Sequence, residues 1–475
     1  MNILEAKKIE SKNLKEAIRR WPRFFETPAF VDDQNFLEKY GIQIPEKKKF
    51  PLGYLKLWPQ DFIVEEIAIN EELQTVFPEK FLHTRRDFLP EDPIIYATLV
   101  KCGLSTLEAV EELVRMLNID FKNFKYAGIK DKRAITSQLV SIKGSSAEEL
   151  SEINSRYLFL KNIFSGNEGI NLGELKGNQF TILIRTGPDF KKEEFLKRMK
   201  ETEKNGFLNF FYLQRFGLPK LTAHHCGLCI LKGDYEKTVF TAVCKPGERE
   251  PHYFKNVRKE IEKLWGNWDE IEGILESFPV TFREELKMVS HLKDNPKDFV
   301  GALNKTPKQI ELWLEAFASF LYNQKISSYL IRNEKPPEKL PLILGEVKKY
   351  WLFYEDFLKK YGIFSVTFAL KNLEPLKILK FRQKVIKTTE KIKILNYKVL
   401  PLGVVLNFNL PKGCYATAFL SHFFNLASGA LPKGMSNLPI DTKANLGQPS
   451  LEEILNKFSE VISSPSWRLL WGIHG

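Results

Sequence analysis

Tyr126-Ala-Gly-Ile-Lys130-Asp131-Lys132-Arg133-Ala-Ile-Thr136-Ser-Gln138 is the densest polar cluster in the chain. It leads into Thr136–Ile142, whose β-branched and apolar residues read as a strand. Gly128 permits a tight turn just before a Lys-Asp-Lys-Arg quartet. A carboxylate flanked by three cations stays ionised, with its pKa pushed down. That suits a nucleophile better than a proton donor, and the cations suit a phosphate backbone. Composition alone favours a plainer reading, an exposed charged turn ahead of a strand.

Working outward, Ser105 and Glu108 make a capping box before a helix whose apolar stripe is Leu107, Val110, Leu113, Val114 and Leu117. Ser146 and Glu149 form a second box. Phe62–Ile69 reads as a partly buried strand, with Phe62, Val64 and Ile67 as its apolar residues. Gln179–Arg185 alternates Phe180, Ile182 and Ile184 against polar or smaller partners. At the N-terminus, Leu4, Ile9, Leu14 and Ile18 recur at near-helical spacing until Pro22. The middle of the chain is helical: Thr306 is expected to cap a long helix with Pro307 at its first position and Gln309 completing the box, and Pro336 and Pro337 stop it. From Phe364 the pattern returns to strands, including Val404–Asn409. A last helix is expected from Ser450, with Glu453 as box partner. This order fits an α+β domain split by a large, helix-rich insertion.

The chain has 475 residues, enough for two to three domains, with 43% hydrophobic and 27% charged residues. That balance excludes a disordered chain. Net charge is +12, from 71 Lys and Arg against 59 Asp and Glu, so polyanions are attracted. Met1 to Arg20 is polar and amphipathic and lacks the apolar region of a signal peptide, and no apolar run reaches membrane-span length. A cytoplasmic protein, with no membrane contact, is expected. His224-His225-Cys226-Gly-Leu-Cys229 has zinc-like spacing, yet only Cys244 and His252 stand nearby as further ligands. A helix with two small apolar Cys is the better reading, and no metal is expected.

The quartet segment resembles the core motif of the TruD family of tRNA pseudouridine synthases. Further segments match in the same order. They are Lys56-Leu-Trp-Pro-Gln-Asp61-Phe62-Ile-Val-Glu65, Leu175-Lys-Gly177-Asn178-Gln-Phe180-Thr-Ile, Asn209-Phe-Phe-Tyr-Leu-Gln214-Arg215-Phe216-Gly217, and Leu410-Pro-Lys-Gly413-Cys-Tyr415-Ala416-Thr417. Ala316 to Ser327, around Tyr322-Asn323-Gln324, is a fainter match. Tyr212 stands where the family has Gly, and Ser421 and His422 stand where Arg-Glu is usual.

The resemblance implies a cofactor-free isomerase that detaches a uracil from C1′ and rejoins it through C5. It implies a tRNA or other structured RNA substrate, by default uridine 13 of the D arm, and a monomer. It makes Asp131 the catalytic carboxylate and Lys56 its ion-pair partner. Phe62, Phe180, Asn178 and Tyr415 would hold the base, and Lys130, Lys132, Arg133, Arg215 and Arg382 would contact RNA. Lys377–Lys387 alternates basic and apolar residues, which in a strand would align cations on one face. The resemblance also implies an α+β catalytic domain with a mixed or antiparallel sheet at 51–217 and 386–435, interrupted by a helix-rich insertion at 218–385, with an extension at 1–50 and a tail at 436–475. The competing readings are a non-catalytic RNA-binding protein on the same scaffold and a metal-dependent hydrolase built on the Cys-His segment.

Overall fold

A computed structural model describes residues 3–78, 94–343, 348–378 and 383–462. The chain divides into two compact units, Lys49–Phe207 with Lys391–Gly475, and Met1–Lys48 with Leu208–Glu390.

The first unit is built on a mixed sheet. Its strands lie in the order Asn425–Ser428, Leu52–Tyr54, Leu175–Thr186, Phe62–Ala68, Ile135–Ile142, Ile94–Cys102 and Leu158–Gly166. Gly403–Pro411 also pairs with Leu175–Thr186 and carries Lys393–Leu400 on its far side. Phe62–Ala68 runs parallel to Ile135–Ile142 and antiparallel to Leu175–Thr186. Strand period places Phe62, Val64, Glu66, Thr136, Gln138, Lys101, Asn178, Phe180 and Phe408 on one face, since these positions are in register.

The Phe62 strand is buried along both faces rather than partly exposed. The reason is its central position between two covers. On the back face Ile63, Val100, Cys102 and Ile135 pack under Leu451, Ile454, Phe458 and Val461. The segment expected as a tail therefore closes the core. Glu65 and Glu66 are both buried, and because they are adjacent they point to opposite faces. Glu65 pairs with Lys443 at 2.6 Å on the back, and Glu66 pairs with Lys130 on the front. On the front, the helix Thr106–Leu117 buries Ala109, Val110 and Leu113 against Leu99, Val140 and Leu160.

The second unit is helical. The long helix runs Pro307–Ile331 with Pro at its start. Thr306 does not cap it: the hydroxyl donates to Leu303 O at 3.1 Å instead. The helix also stops at Ile331, ahead of the prolines. Ala223–Leu231 is a helix that buries Cys226 and Cys229. After Phe364 the chain forms the helix Val366–Lys371, where strands were expected, because Ser365 accepts from Phe368 N and caps a helical turn. Val385–Lys387 is a strand. Arg382 and the middle of the Lys377–Lys387 stretch lie outside the described residues.

The N-terminal residues are integral to this unit. The helix Ile3–Arg20 places Glu10 so that its carboxylate accepts from Val280 N at 2.6 Å and Thr281 N at 2.9 Å. Asn323 donates to Tyr40 O at 3.1 Å and to Phe211 O at 2.8 Å. In the first unit, the helix expected from Ser450 begins at Glu452, with Ser450 Oγ accepting from Glu452 N at 3.1 Å and donating to Asp441 Oδ2 at 2.9 Å. Among the described residues no helix is long and apolar enough to cross a membrane.

Candidate active site

The Gly128–Arg133 loop folds back over the front of the sheet and is held along its length. Gln138 Nε2 donates to Gly128 O at 2.9 Å, and Gln138 Oε1 accepts from Thr106 Oγ1 at 2.9 Å. Thr106 Oγ1 in turn accepts from Lys130 N at 2.8 Å. Lys130 Nζ pairs with Glu66, and both side chains are buried. Glu66 also accepts from Leu139 N at 3.1 Å. Lys130 is thus a buttress of the loop, not a phosphate contact, because its ammonium is consumed inside the unit. Lys132 pairs with Glu108 at 2.8 Å while staying 36% exposed, and Arg133 donates to Lys56 O at 3.1 Å.

Asp131 emerges from this frame with its side chain 37% exposed. Its carboxylate pairs with Lys56 Nζ, and its main-chain carbonyl accepts from Lys101 Nζ at 2.9 Å. Two separate cations therefore hold the side chain and the backbone of one residue. Burial pushes the carboxyl up, but the charge and hydrogen bond of Lys56, then the charges of Lys101 and Lys130, hold it below the usual carboxylate range. Lys101 is fully buried in the strand Ile94–Cys102, also donates to Leu104 O at 2.7 Å, and is pushed down by burial to about 7. Lys56 itself sits at φ 59, a left-handed conformation uncommon outside glycine.

The Lys56 ammonium also lies 3.9 Å from the centroid of the Phe62 ring. Phe62 meets Phe180 edge-to-face at 6.0 Å and 76°, and Phe180 stacks on Phe408 at 5.4 Å and 19°. Phe62 and Phe180 are only 2% and 6% exposed, so they floor the site rather than present open faces. Asn178 stands opposite Glu66 and Leu410, and its Oδ1 is buried with no hydrogen-bond partner among the described residues. Gly177 beside it is obligatory, since a Cβ there would lie 2.2 Å from Leu410 O. Tyr415 is half-buried at the start of the helix Ala416–Leu420. The pairing of Pro411 with Gly177 and of Lys412 N with Lys176 O at 3.0 Å brings it to the Asn178 end of the sheet.

The remaining expected residues have structural partners. Arg215, in the helical unit, pairs with Glu315 and lies 5.2 Å from the Phe211 ring centroid. Tyr212 donates to Asp32 Oδ2 at 2.8 Å, which gives the departure from Gly a purpose within that unit. Ser421 Oγ donates to Ala418 O at 2.6 Å, and His422 Nδ1 lies 2.8 Å from the same carbonyl. Local helix-end bonds thus stand where the family's Arg-Glu pair is usual. Among the described residues no group of three or more His, Cys, Asp or Glu is placed to hold a metal ion. Burial pushes the Cys226 thiol up to about 12.

A family profile described as "tRNA pseudouridine synthase D (TruD)" matches residues 48–339, more than half of the chain. The chain belongs to the TruD family. Among its relatives, the probable tRNA pseudouridine synthase D of Methanococcoides burtonii is 26% identical over 72% of this chain and 90% of its own length. The protein of the same description from Archaeoglobus fulgidus is 28% identical over 78% of this chain and 94% of its own length. The crystal structure of the putative TruD of Methanosarcina mazei superposes with a TM-score of 0.57 at 23% identity, covering 82% of this chain and 97% of that one. The α+β fold is thus that of a TruD protein, and the chain is a tRNA pseudouridine synthase by family.

Lys101 and Glu66 hold the Asp131 loop, and the short motifs do not single them out. Each is signalled by a charge inside an apolar strand, at Leu99-Val-Lys101-Cys102 and at Val64-Glu65-Glu66-Ile67. A charge in such a place is tolerated only when paired.

Proposed function

We propose that the protein converts a uridine of tRNA, uridine 13 of the D arm by default, to pseudouridine with Asp131 as the catalytic carboxylate. The observation that carries this reading is the half-buried Asp131 carboxylate held on Lys56 beside the Phe62 ring. In the reaction the C1′–N1 bond breaks, a C1′–C5 bond forms and the C5 proton moves to the freed nitrogen by way of solvent. No atom or electron is gained or lost, so no cofactor is required. The carboxylate acts at the glycosidic bond, whose cleavage leaves positive character at C1′. The free Asn178 Oδ1 is an acceptor suited to the uracil N3–H. Tyr415 covers the base, Phe62 and Phe180 form the floor beneath it, and Lys132 and Arg133 face the phosphates. The target base must leave its stack to reach this site.

The test is Asp131→Asn, which keeps size and removes charge. Single-turnover tritium release from C5-labelled tRNA should fall by about 10²–10³ or more, as for loss of one group stabilising transition-state charge. The Kd for tRNA should stay within a few fold, because phosphate contacts set most of the affinity. Release at the wild-type rate would overturn the assignment of Asp131. A wild-type protein that binds tRNA yet forms pseudouridine in no RNA tested would favour the non-catalytic reading.

A further inference from the structure

The family match begins at residue 48, so the N-terminal helix lies outside the region that defines the family. That helix, Ile3–Arg20, has two opposed faces. At 100° per residue, Ala6, Glu10, Leu14 and Ala17 fall on one side, and all four are buried. Lys8, Lys12, Lys15 and Arg19 recur at the i, i+4, i+7, i+11 spacing on the opposite side, and all four are exposed. None of the four pairs with a carboxylate among the described residues. They form a cationic ridge about 16 Å long, from eleven residues at about 1.5 Å each. The buried face is anchored by Glu10 on Val280 N and Thr281 N, so the ridge is held rigidly on the helical unit.

The chain that follows adds aromatic surface. Trp21 and Phe24 are 38% and 42% exposed, and the Arg20 guanidinium lies 4.6 Å from the Trp21 ring centroid. A soluble helix that only needed solvation would mix signs along its outer face. Here Glu5 and Glu16 are at the margins and the centre is purely cationic.

We propose that this outer face is a docking surface for the phosphate backbone of the tRNA, with Trp21 and Phe24 available to stack on an unpaired base at its end. The inference rests on the reading of the protein as a tRNA enzyme. The chemistry is that of backbone positioning: lysines and arginine at regular spacing neutralise phosphates and carry no sequence information. The ridge adds affinity and orientation and takes no part in bond making.

The experiment compares the full-length wild type with a variant carrying Lys8→Gln, Lys12→Gln, Lys15→Gln and Arg19→Gln. All four side chains are exposed, so the melting temperature should hold. A charge-matched control carries Lys192→Gln, Lys197→Gln, Lys200→Gln and Lys204→Gln on the exposed side of the helix Lys192–Asn205. The tRNA Kd is measured across a salt series, and tritium release is measured in single turnover at saturating enzyme. The N-terminal variant should bind about tenfold or more weakly near ~0.1 M salt, with the slope of log K against log salt reduced by about 0.7–0.9 for each phosphate no longer neutralised. Its saturated rate should equal that of the wild type. Re-introducing positive charge as Lys8→Arg, Lys12→Arg and Lys15→Arg with Arg19 intact should preserve wild-type binding. An unchanged Kd and slope would overturn the proposal and leave a solvated face. So would an equal loss in the control, which would mark a general charge effect. Failure of the tRNA reading is separable: it appears as a wild type that makes no pseudouridine, whatever the binding slopes are.

Discussion

Asp131 is held by two cations in different ways, and the difference is measurable. Lys56 meets the carboxylate directly, whereas Lys101 meets the carbonyl from inside the core. Because Asp131 is held below the usual carboxylate range, the acid limb of the rate should appear only as pH drops through that lowered value. Lys56→Met removes the largest of the lowering influences. It should raise the acid limb of the single-turnover profile as well as reduce the plateau. Lys101 carries a second, opposite limb. Burial pushes its pKa down to about 7, against the charges of Asp131, Cys102 and Glu108 and with that of Lys130. Its ammonium is therefore complete below that value and lost as pH rises through it. Lys101→Met should lower the plateau by about 10–100-fold, the equivalent of a charged hydrogen bond. It should also abolish the alkaline decline and leave tRNA binding intact. A Lys101→Met profile parallel to the wild type would show that Lys101 serves the fold alone.

At the scale of elements, one helix start ties local structure to the site. Ser105 caps Thr106–Leu117, and the Glu108 of that box also pairs with Lys132 of the catalytic loop. Ser105→Ala should cost about 1 kcal/mol, the usual worth of such a cap. It should also increase amide exchange in 128–133, because Thr106 in the first turn accepts from Lys130 N. In the helical unit, Tyr212 joins the N-terminal segment through Asp32, which Arg249 also holds. Tyr212→Phe deletes one hydrogen bond while the ion pair remains. The expected cost is about 0.5–1.5 kcal/mol, read by denaturant unfolding. Exchange should rise around 30–42, and unchanged protection there would show that the Tyr212 hydroxyl does not hold the segment. Ser105 and Ser146 formed the boxes their spacing indicated. Thr306 and Ser450 did not: the Thr306 hydroxyl donates to Leu303 O without capping, and Ser450 Oγ accepts from Glu452 N, one residue short of the box position.

At the scale of the whole molecule, the C-terminal residues complete the unit that carries the site. Lys443 and Glu65 are 3% and 0% exposed, and Glu65 lies on the strand that begins with Phe62. Lys443→Met leaves that carboxylate buried without its cation. Breaking such a pair typically costs about 3–5 kcal/mol, and the thermal transition should drop accordingly. The double variant Lys443→Met with Glu65→Gln should recover most of the loss, since no buried charge is then left unpaired. A single variant with an unshifted transition would show that the back cover does not depend on this pair.

The local signals in the sequence determined a good deal. Apolar runs marked the strands around Phe62 and Phe180, Ser105 and Ser146 marked helix starts, and the resemblance of short motifs to the TruD family singled out Lys56, Asp131, Asn178 and Tyr415 as candidates. These are legible because strand period, capping and motif order depend on neighbours close along the chain. Tertiary structure alone decided that Lys130 turns inward to Glu66, that Lys101 reaches the Asp131 carbonyl, and that Lys443 comes from 378 positions away to neutralise Glu65. The physical reason is the same in each case. A charged side chain can enter the interior only where another group meets it, and that group is supplied by whichever segment the fold lays alongside, not by the sequence around the charge.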